Sequence, residues 1–190
     1  ELGIGIRDIE LMGVGVGPGS FTGIRIAVST ARMLAQALGV PLVPVKSQLL
    51  YAASAAAGPG EYVLVAFDAK KGRVFGALYR ASDDPLSPTE VVTPGDYDIE
   101  RLCEPARGKR TLAVGDGAEK YRAEIETRIP ECAVLADFIP SGETACRIVG
   151  NAYAANPAGY ADVSAVLPFY ARKSDAEVIR EEKINGERGG

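Results

Sequence analysis

The sequence contains no histidine, and this absence excludes more chemistry than any residue that is present suggests. Without histidine there can be no Ser-His-Asp triad, no Cys-His pair, no histidine general base and no histidine metal ligand. Serine and cysteine hydrolases that depend on these groups are therefore excluded. Carboxylates, lysines and backbone amides remain for chemistry, and no acidic pair has a spacing typical of a catalytic site. We predict no catalytic residue and no metal ligand in this chain.

Cysteine is scarce, and long apolar runs are missing. The three cysteines, Cys103, Cys132 and Cys146, are odd in number, far apart and without metal-ligand spacing. We therefore expect reduced thiols in a cytoplasmic protein. The longest nearly apolar stretches are too short to cross a bilayer, and the sequence does not open on a basic segment followed by an apolar one, as a secretion signal does. We expect no membrane association.

Basic residues are slightly fewer than acidic residues. The chain has 21 Lys and Arg residues against 25 Asp and Glu residues, a net charge of −4 at pH 7. Because strong nucleic-acid binding depends on neutralising phosphates, we do not expect this chain to bind nucleic acid strongly without a partner. The 190 residues, 47% hydrophobic and 24% charged, are typical of a globular chain with one large core or two small domains.

A strand, a glycine-rich turn and a helix follow one another near the start of the chain. The apolar run from Leu11 to Val16 predicts a short buried strand, which Gly17-Pro18-Gly19 ends. A helix is predicted from Thr22 to Leu38, with Ser20 or Thr22 as its N-cap and Gly39 after its last turn.

The turn before this helix is a candidate anion-binding loop, because free N–H groups and the helix dipole favour a negative charge there. The turn matches neither the dinucleotide pattern nor the Walker A motif. A packing turn without a ligand is therefore an equally supported alternative. The candidate cofactor-binding residues are Gly17, Gly19, Ser20, Thr22 and Gly23.

The same helix carries more apolar surface than one sheet can cover, so we predict that part of it contacts another helix, either within the fold or in a partner chain. One apolar stripe contains Ile24, Val28, Ala31, Ala35 and Leu38, and a second contains Ile26, Thr30, Met33 and Ala37. The predicted partner-binding residues are Arg25, Val28, Ser29, Arg32, Met33 and Gln36.

Downstream, the pattern predicts a strand at Val43 to Val45 and a helix from an N-cap at Ser47 to Ala57, where a Gly-Pro-Gly stop favours a domain boundary. Two further strands, Tyr62 to Phe67 and Arg73 to Tyr79, form a predicted β-hairpin. Asp68 opens the turn between them, and we favour a bond to its own backbone over a phosphate or metal contact.

The last third of the chain repeats the theme of strand, glycine turn and helix. Thr111 to Val114 predicts a strand, and the turn Gly115-Asp116-Gly117 opens a helix to about Glu124. A nucleotide base could rest at this turn, but a structural turn is favoured. A capped helix is predicted from Ser141 to Asn156. The charged tail from Lys173 predicts a solvated or disordered end.

Four segments of the chain form a recognisable series. They are G-V-G-P-G-S-F-T-G-I-R-I at residues 15–26, F-D-A-K-K-G-R-V-F-G-A-L-Y at residues 67–79, V-G-D-G at residues 114–117 and P-F-Y-A-R at residues 168–172. In order and spacing, along nearly the whole chain, they resemble the TsaB family, also called YeaZ. The resemblance implies an α/β fold of the actin, Hsp70 and sugar-kinase kind, with two ribonuclease H-like lobes.

The resemblance also implies a function. Family members are non-catalytic subunits that bind TsaD and, with TsaE, help to place threonylcarbamoyl on the adenosine beside the tRNA anticodon. ATP and metal are then expected on the partner and no cofactor in this chain, and tRNA is expected to bind only through the complex. A homodimer is compatible with the isolated chain.

One departure from the family concerns the start of the chain. Family members begin with a strand bearing an I-D-T-like motif and two further strands, and by analogy of fold roughly forty to fifty residues of that pattern are not in this sequence. We therefore expect a first lobe that lacks its N-terminal strands, a marginal fragment and an open sheet edge. The expected divisions are residues 1–57 for the first lobe, 58–162 for the second and 163–190 for a C-terminal segment that returns to the first.

Two alternative functions remain at this point. One is an ATP- or metal-dependent phosphotransferase or carbamoyltransferase of the same fold, for which Asp68 is the candidate carboxylate to hold Mg²⁺. The other is a homodimeric interaction module with no role in tRNA modification.

Overall fold

The computed structural model describes residue 3 and residues 5–172, which form the mixed α/β fold that the sequence predicts. Its strands are β1 (Met12–Gly17), β2 (Leu42–Lys46), β3 (Tyr62–Asp68), β4 (Arg73–Arg80), β5 (Thr89–Asp98), β6 (Thr111–Val114) and β7 (Cys132–Val134). Its α-helices are α1 (Phe21–Leu38), α2 (Ser47–Ser54), α3 (Ile99–Cys103), α4 (Asp116–Lys120), α5 (Arg122–Arg128) and α6 (Gly142–Ala155). Short 3₁₀ turns lie at Ile6–Asp8, Glu104–Ala106, Pro157–Tyr160 and Val163–Ala165.

β3 is the central strand of a five-stranded sheet, and its composition explains this position. Residues 63–66 are all buried, a continuous apolar run that is typical of a strand covered on both faces. The strand order is β5-β4-β3-β6-β7. β3, β4 and β5 pair antiparallel, whereas β6 and β7 extend the sheet in parallel. The antiparallel pairing of β3 with β4 confirms the predicted hairpin.

β1 and β2 form a second, smaller sheet of two parallel strands. Its side chains alternate between two faces, as strand geometry requires. Val14 and Leu42 share a core with α1, whereas Val43 and Val45 share a core with α6. Within the described residues, β2 is the only strand that pairs with β1. The Val16 carbonyl of β1 also accepts a hydrogen bond from the distant Phe169 N–H at 2.8 Å.

α1 begins and ends where its sequence indicates. The Ser20 hydroxyl accepts a hydrogen bond from the Gly23 N–H at 3.3 Å, and Gly39 takes the left-handed conformation with φ 68° after the last turn. The N-cap is therefore Ser20 rather than Thr22. Of the two apolar stripes in its sequence, the first is the buried one: Ile24, Val28, Ala31 and Ala35 lie in the core with β1 and β2.

α2 and α6 connect the two sheets. Ala52 of α2 and the C-cap residue Ala55 that follows the helix pack on the larger sheet, while Ala53 of α2 packs with the smaller sheet and with Val149 of α6. α6 follows the larger sheet in sequence but contacts β1 and β2. The sequence predicted that the second lobe extends to residue 162. In the structure the chain already returns to the smaller sheet at α6, before that residue.

Several local predictions were wrong by a turn or less. Lys46 is the N-cap of α2 and Ser47 its first residue, and the helix ends at Ser54 rather than Ala57. The helix predicted from Asp116 is interrupted at Tyr121, whose φ of −101° and ψ of 21° separate α4 from α5.

The charged tail from Lys173 lies outside the described residues. No described helix is long and apolar enough to span a membrane.

Candidate functional site

A cleft lies between the two sheets, with a cavity of about 680 Å³. One wall is the turn from Pro18 to Phe21 at the start of α1, and the other is formed by the end of β3, the turn after it and Asp116. Residues 169–172 close one side. The structure therefore brings the predicted Gly19 and Ser20 to the cleft, whereas Gly17, Thr22 and Gly23 do not line it.

Packing explains the glycine that the turn requires. Gly17 has a φ of 104°, and a Cβ at this position would lie 2.6 Å from Ile24 Cδ1 and 2.8 Å from the Phe169 carbonyl oxygen. A larger residue would therefore collide with the helix and with the distant segment around Phe169. A Cβ at Gly19 would meet no atom closer than 3.8 Å. The need for glycine at residue 17 arises from internal contacts rather than from a ligand.

Asp68, the carboxylate considered for Mg²⁺, is held by two lysines. Its Oδ2 accepts a hydrogen bond from Lys70 Nζ at 2.7 Å, and its Oδ1 accepts bonds from Lys120 Nζ and the Lys70 N–H, both at 3.0 Å. The bond from the Lys70 ammonium, followed by the bond from Lys120, lowers the pKa of Asp68 to about 2. Two ammonium groups on one carboxylate repel a divalent cation, so this arrangement does not fit the Mg²⁺ site of the alternative function. Among the described residues, no group of three or more acidic or cysteine side chains could hold a metal.

The turn between β6 and α4 fastens the end of β3 to the helix. Asp116 Oδ1 accepts hydrogen bonds from the Asp68 N–H at 3.2 Å and the Gly117 N–H at 3.0 Å. A Cβ at Gly117 would lie 2.8 Å from the Phe67 carbonyl carbon, so only glycine allows this approach. These contacts favour the structural interpretation of the V-G-D-G segment.

The outer face of α1 is the most extensive exposed apolar surface on a described helix. Ile26 is 62% exposed, Met33 72% and Leu34 39%, and Thr30 and Ala37 lie exposed on the same side. These residues recur with helical spacing and point away from the sheet. The predicted second stripe of α1 is therefore uncovered in the single chain.

The predicted partner-binding residues divide into four groups, of which buried Val28 is the last. Met33, Ser29 and Gln36 are exposed. Arg25 is exposed but engaged within the chain: its Nε donates to the Tyr170 hydroxyl at 2.9 Å, and its guanidinium lies 4.0 Å from the centre of the Phe21 ring. Arg32 is half-buried.

The prediction that Val28 binds a partner is wrong. Its side chain is only 2% exposed because it lies one turn from Ile24 on the stripe that packs on β1 and β2. It cannot contact a partner while the fold is intact. Ile26 and Leu34 are exposed on the same side of the helix but are absent from the predicted set, although the helical spacing of Ile26 with Met33 was a sufficient signal for the first.

Two other features bear on chemistry. Burial raises the pKa of the Cys103 thiol to about 11 and that of Cys132 to about 12, so neither is a thiolate nucleophile near neutral pH. A second cavity of about 410 Å³ lies beside β1, lined in part by Gly15, Tyr51 and Cys146. The sequence contained no signal for this cavity.

Comparisons with known proteins match a TsaD family model and proteins named TsaB or YeaZ. The family model described as "TsaD: tRNA N6-adenosine threonylcarbamoyltransferase" matches residues 1–178. The tRNA threonylcarbamoyladenosine biosynthesis protein TsaB of Bacillus subtilis (strain 168) is 28% identical over 174 residues, which are 90% of this chain and 73% of that protein. The protein of the same name from Escherichia coli (strain K12) is 34% identical over 104 residues, 53% of this chain and 45% of that one.

Solved structures are similar over most of the chain. A Pseudomonas aeruginosa protein described as uncharacterised, with similarity to peptidase YEAZ, superposes with a TM-score of 0.74 at 26% identity and covers 90% of this chain and 77% of its own. YeaZ from Pseudomonas aeruginosa superposes with a TM-score of 0.70 at 25% identity, over 88% and 77% of the two chains. The actin-like α/β fold expected from the sequence is therefore confirmed.

Proposed function

Because the chain belongs to the TsaB (YeaZ) family, we propose that it is a non-catalytic subunit that binds TsaD in the synthesis of threonylcarbamoyladenosine on tRNA. Its relatives from Bacillus subtilis and Escherichia coli are named as biosynthesis proteins of this modification. The observation that carries the proposal is the uncovered apolar face of α1. An exposed apolar stripe on a long, well-capped helix is a surface that favours a protein partner over water.

The face has the composition of a helix-to-helix contact. Ile26 and Met33 supply exposed apolar area near its centre, and the small side chains of Thr30 and Ala37 allow a second helix to approach closely. Ser29 and Gln36 lie exposed beside it and supply a polar rim. The face thus combines an apolar centre with a hydrogen-bonding margin.

The non-catalytic role is supported by the chemistry of the chain. Histidine is absent from the sequence, and Asp68 is engaged by Lys70 and Lys120. ATP and metal then belong to TsaD, while TsaE and tRNA are reached through the complex. We place the complex in the cytoplasm.

The test of the interface is Met33→Asp, measured by titration against purified TsaD. A charge forced into a packed contact should weaken binding by about 2 kcal/mol, roughly a 30-fold rise in Kd. The matched control is Ile139→Asp, which places the same charge on an 84% exposed apolar residue outside α1. Unchanged affinity of Met33→Asp, with circular dichroism showing an intact fold, would contradict the proposed surface.

Two measurements separate the alternatives. If the chain is instead a homodimeric module, Met33→Asp should convert a dimer to a monomer in sedimentation velocity and TsaD should not co-purify. If it is an enzyme, the highly purified chain alone should transfer threonylcarbamoyl or a phosphoryl group, and Asp68→Ala should abolish that turnover. We expect no turnover by the isolated chain and co-purification with TsaD.

A further inference from the structure

The segment from Val166 to Arg172, called the strap below, has neither helical nor strand structure, yet it contacts both lobes. At its start, Val166 is 5% exposed and packs in the core that α1 shares with β1 and β2. Three residues on, the Phe169 N–H donates to the Val16 carbonyl, and the Phe169 carbonyl lies against Gly17 so closely that no side chain fits there. The first half of the strap is thus anchored to the smaller sheet.

The middle of the strap is held by the first turns of α1. The Tyr170 ring lies 4.8 Å from the Phe21 ring, centre to centre. The Tyr170 hydroxyl accepts a hydrogen bond from Arg25 Nε. The guanidinium group of the same arginine lies over the Phe21 ring. Stacking, a cation–π contact and a hydrogen bond therefore fix one side chain of the strap on the helix.

The end of the strap reaches the larger sheet. Arg172 Nε lies 3.7 Å from Asp96 Oδ2 on β5. The other oxygen of this carboxylate, Oδ1, accepts a hydrogen bond of 2.7 Å from Arg73 Nε on β4. The Asp96 side chain is only 15% exposed, so its position is fixed by the sheet rather than by solvent. Asp96 is therefore a rigid attachment point for Arg172.

Residues 169–172, which carry these attachments, also line the cleft. A short segment fixed to one lobe at its start and to the other at its end limits how far the lobes can separate. We propose that the strap sets the opening of the cleft between the two lobes, and that Tyr170 and Arg172 are its two fastenings. α2, which packs on both sheets, then serves as the hinge about which the cleft opens when the strap is released.

The test measures the distance between the lobes in the full chain. Spin labels on cysteines introduced at Gln36 of α1 and Ala123 of α5, both exposed, report this distance by pulsed electron paramagnetic resonance in a Cys146→Ser background. Releasing the strap with Tyr170→Ala and Arg172→Ala together should lengthen the mean distance and broaden its distribution. Arg172→Ala alone should broaden it less, and Arg172→Lys should largely restore the original distribution because it retains the charge.

The matched control is Arg122→Ala, which breaks an exposed ion pair with Glu126 inside α5 and leaves the strap intact. Its distance distribution should equal that of the unchanged chain. If Tyr170→Ala prevents folding, Tyr170→Phe removes only the Arg25 bond and keeps the ring stack, and it should still broaden the distribution when combined with Arg172→Ala. A folded double variant with the same distribution as the control would overturn the proposal.

Discussion

Each of the two sheets contains a pair of parallel strands joined by helical structure. The two pairs differ in how many further strands lie beside them. In the larger sheet, β6 pairs with β3 on one side and β7 on the other. In the smaller sheet, within the described residues, β1 pairs with β2 and receives one bond from the strap. Two strands alone are marginal in water. The smaller sheet therefore depends on α1, α6 and the strap for stability that the larger sheet obtains from its own strands.

The largest expected effect comes from truncating a core side chain in each sheet. Leu64 on β3 and Leu42 on β2 are both 0% exposed. Leu64→Ala should cost about 4 kcal/mol because strands and helices enclose the site, whereas Leu42→Ala should cost about 2 kcal/mol because the smaller sheet can relax into the cavity. Urea unfolding of both variants measures the difference. Equal costs would show that the two sheets are equally rigid.

An intermediate effect should appear at the pairing edge of β1. Edge strands associate with other chains unless charge or bulk prevents it. A Cβ at Gly15 would meet no atom within 4 Å, so Gly15→Lys can be accommodated beside the cavity next to β1. We expect the unchanged chain to associate as its concentration rises and Gly15→Lys to associate less, as measured by sedimentation velocity. The control is Ala123→Lys on α5, which should leave association unchanged.

A smaller effect tests the contact between α2 and the larger sheet. The Tyr79 hydroxyl is buried and has no hydrogen-bond partner among the described residues, and burial raises the pKa of Tyr79. Removing an unsatisfied buried hydroxyl relieves a desolvation cost. Tyr79→Phe should therefore raise the free energy of unfolding by about 1 kcal/mol. A loss of stability in chemical denaturation would indicate that the hydroxyl is satisfied in solution.

The smallest expected effect concerns acid and the turn after β3. The pKa of Asp68 is lowered from 3.8 to about 2 in the folded chain. A depressed pKa contributes stability above the unfolded value, and this contribution is lost as the pH falls from about 4 to about 2. Asp68→Asn should remove part of the stability at pH 7 and flatten the decline over that interval. Unfolding curves at pH 7 and pH 3 check this; an unchanged decline would contradict the role of the two lysines.

Sequence reasoning predicted the parts of the fold whose signals are local. α1 carries a cap at Ser20, a glycine at Gly39 and two regular apolar stripes, and the structure buries the first stripe against β1 and β2. β5 was not predicted, because an exposed edge strand containing Pro94 and Gly95 shows no regular alternation. The break at Tyr121 was also missed, since no Gly or Pro marks it.

The candidate site was predicted less completely than the fold. The sequence predicts a candidate anion-binding loop at Gly19 and Ser20, and these residues line the cleft, but the other side of that cleft comes from residues far along the chain. Tyr170 contacts Arg25 across 145 positions, and no periodic pattern in the strap indicates such a contact. Val28 was assigned to the wrong face although its own spacing placed it with Ile24. Long-range contacts of irregular segments require the structure.

α2 has small side chains directed to both sheets: Ala52, together with the C-cap residue Ala55, packs on the larger sheet, and Ala53 packs with the smaller one. If either sheet unfolds, α2 loses the packing contacts on one of its sides. An eight-residue helix without those contacts is not stable by itself in water. The two lobes are therefore thermodynamically one unit. Calorimetry should record a single heat-absorption peak whose van't Hoff and calorimetric enthalpies agree.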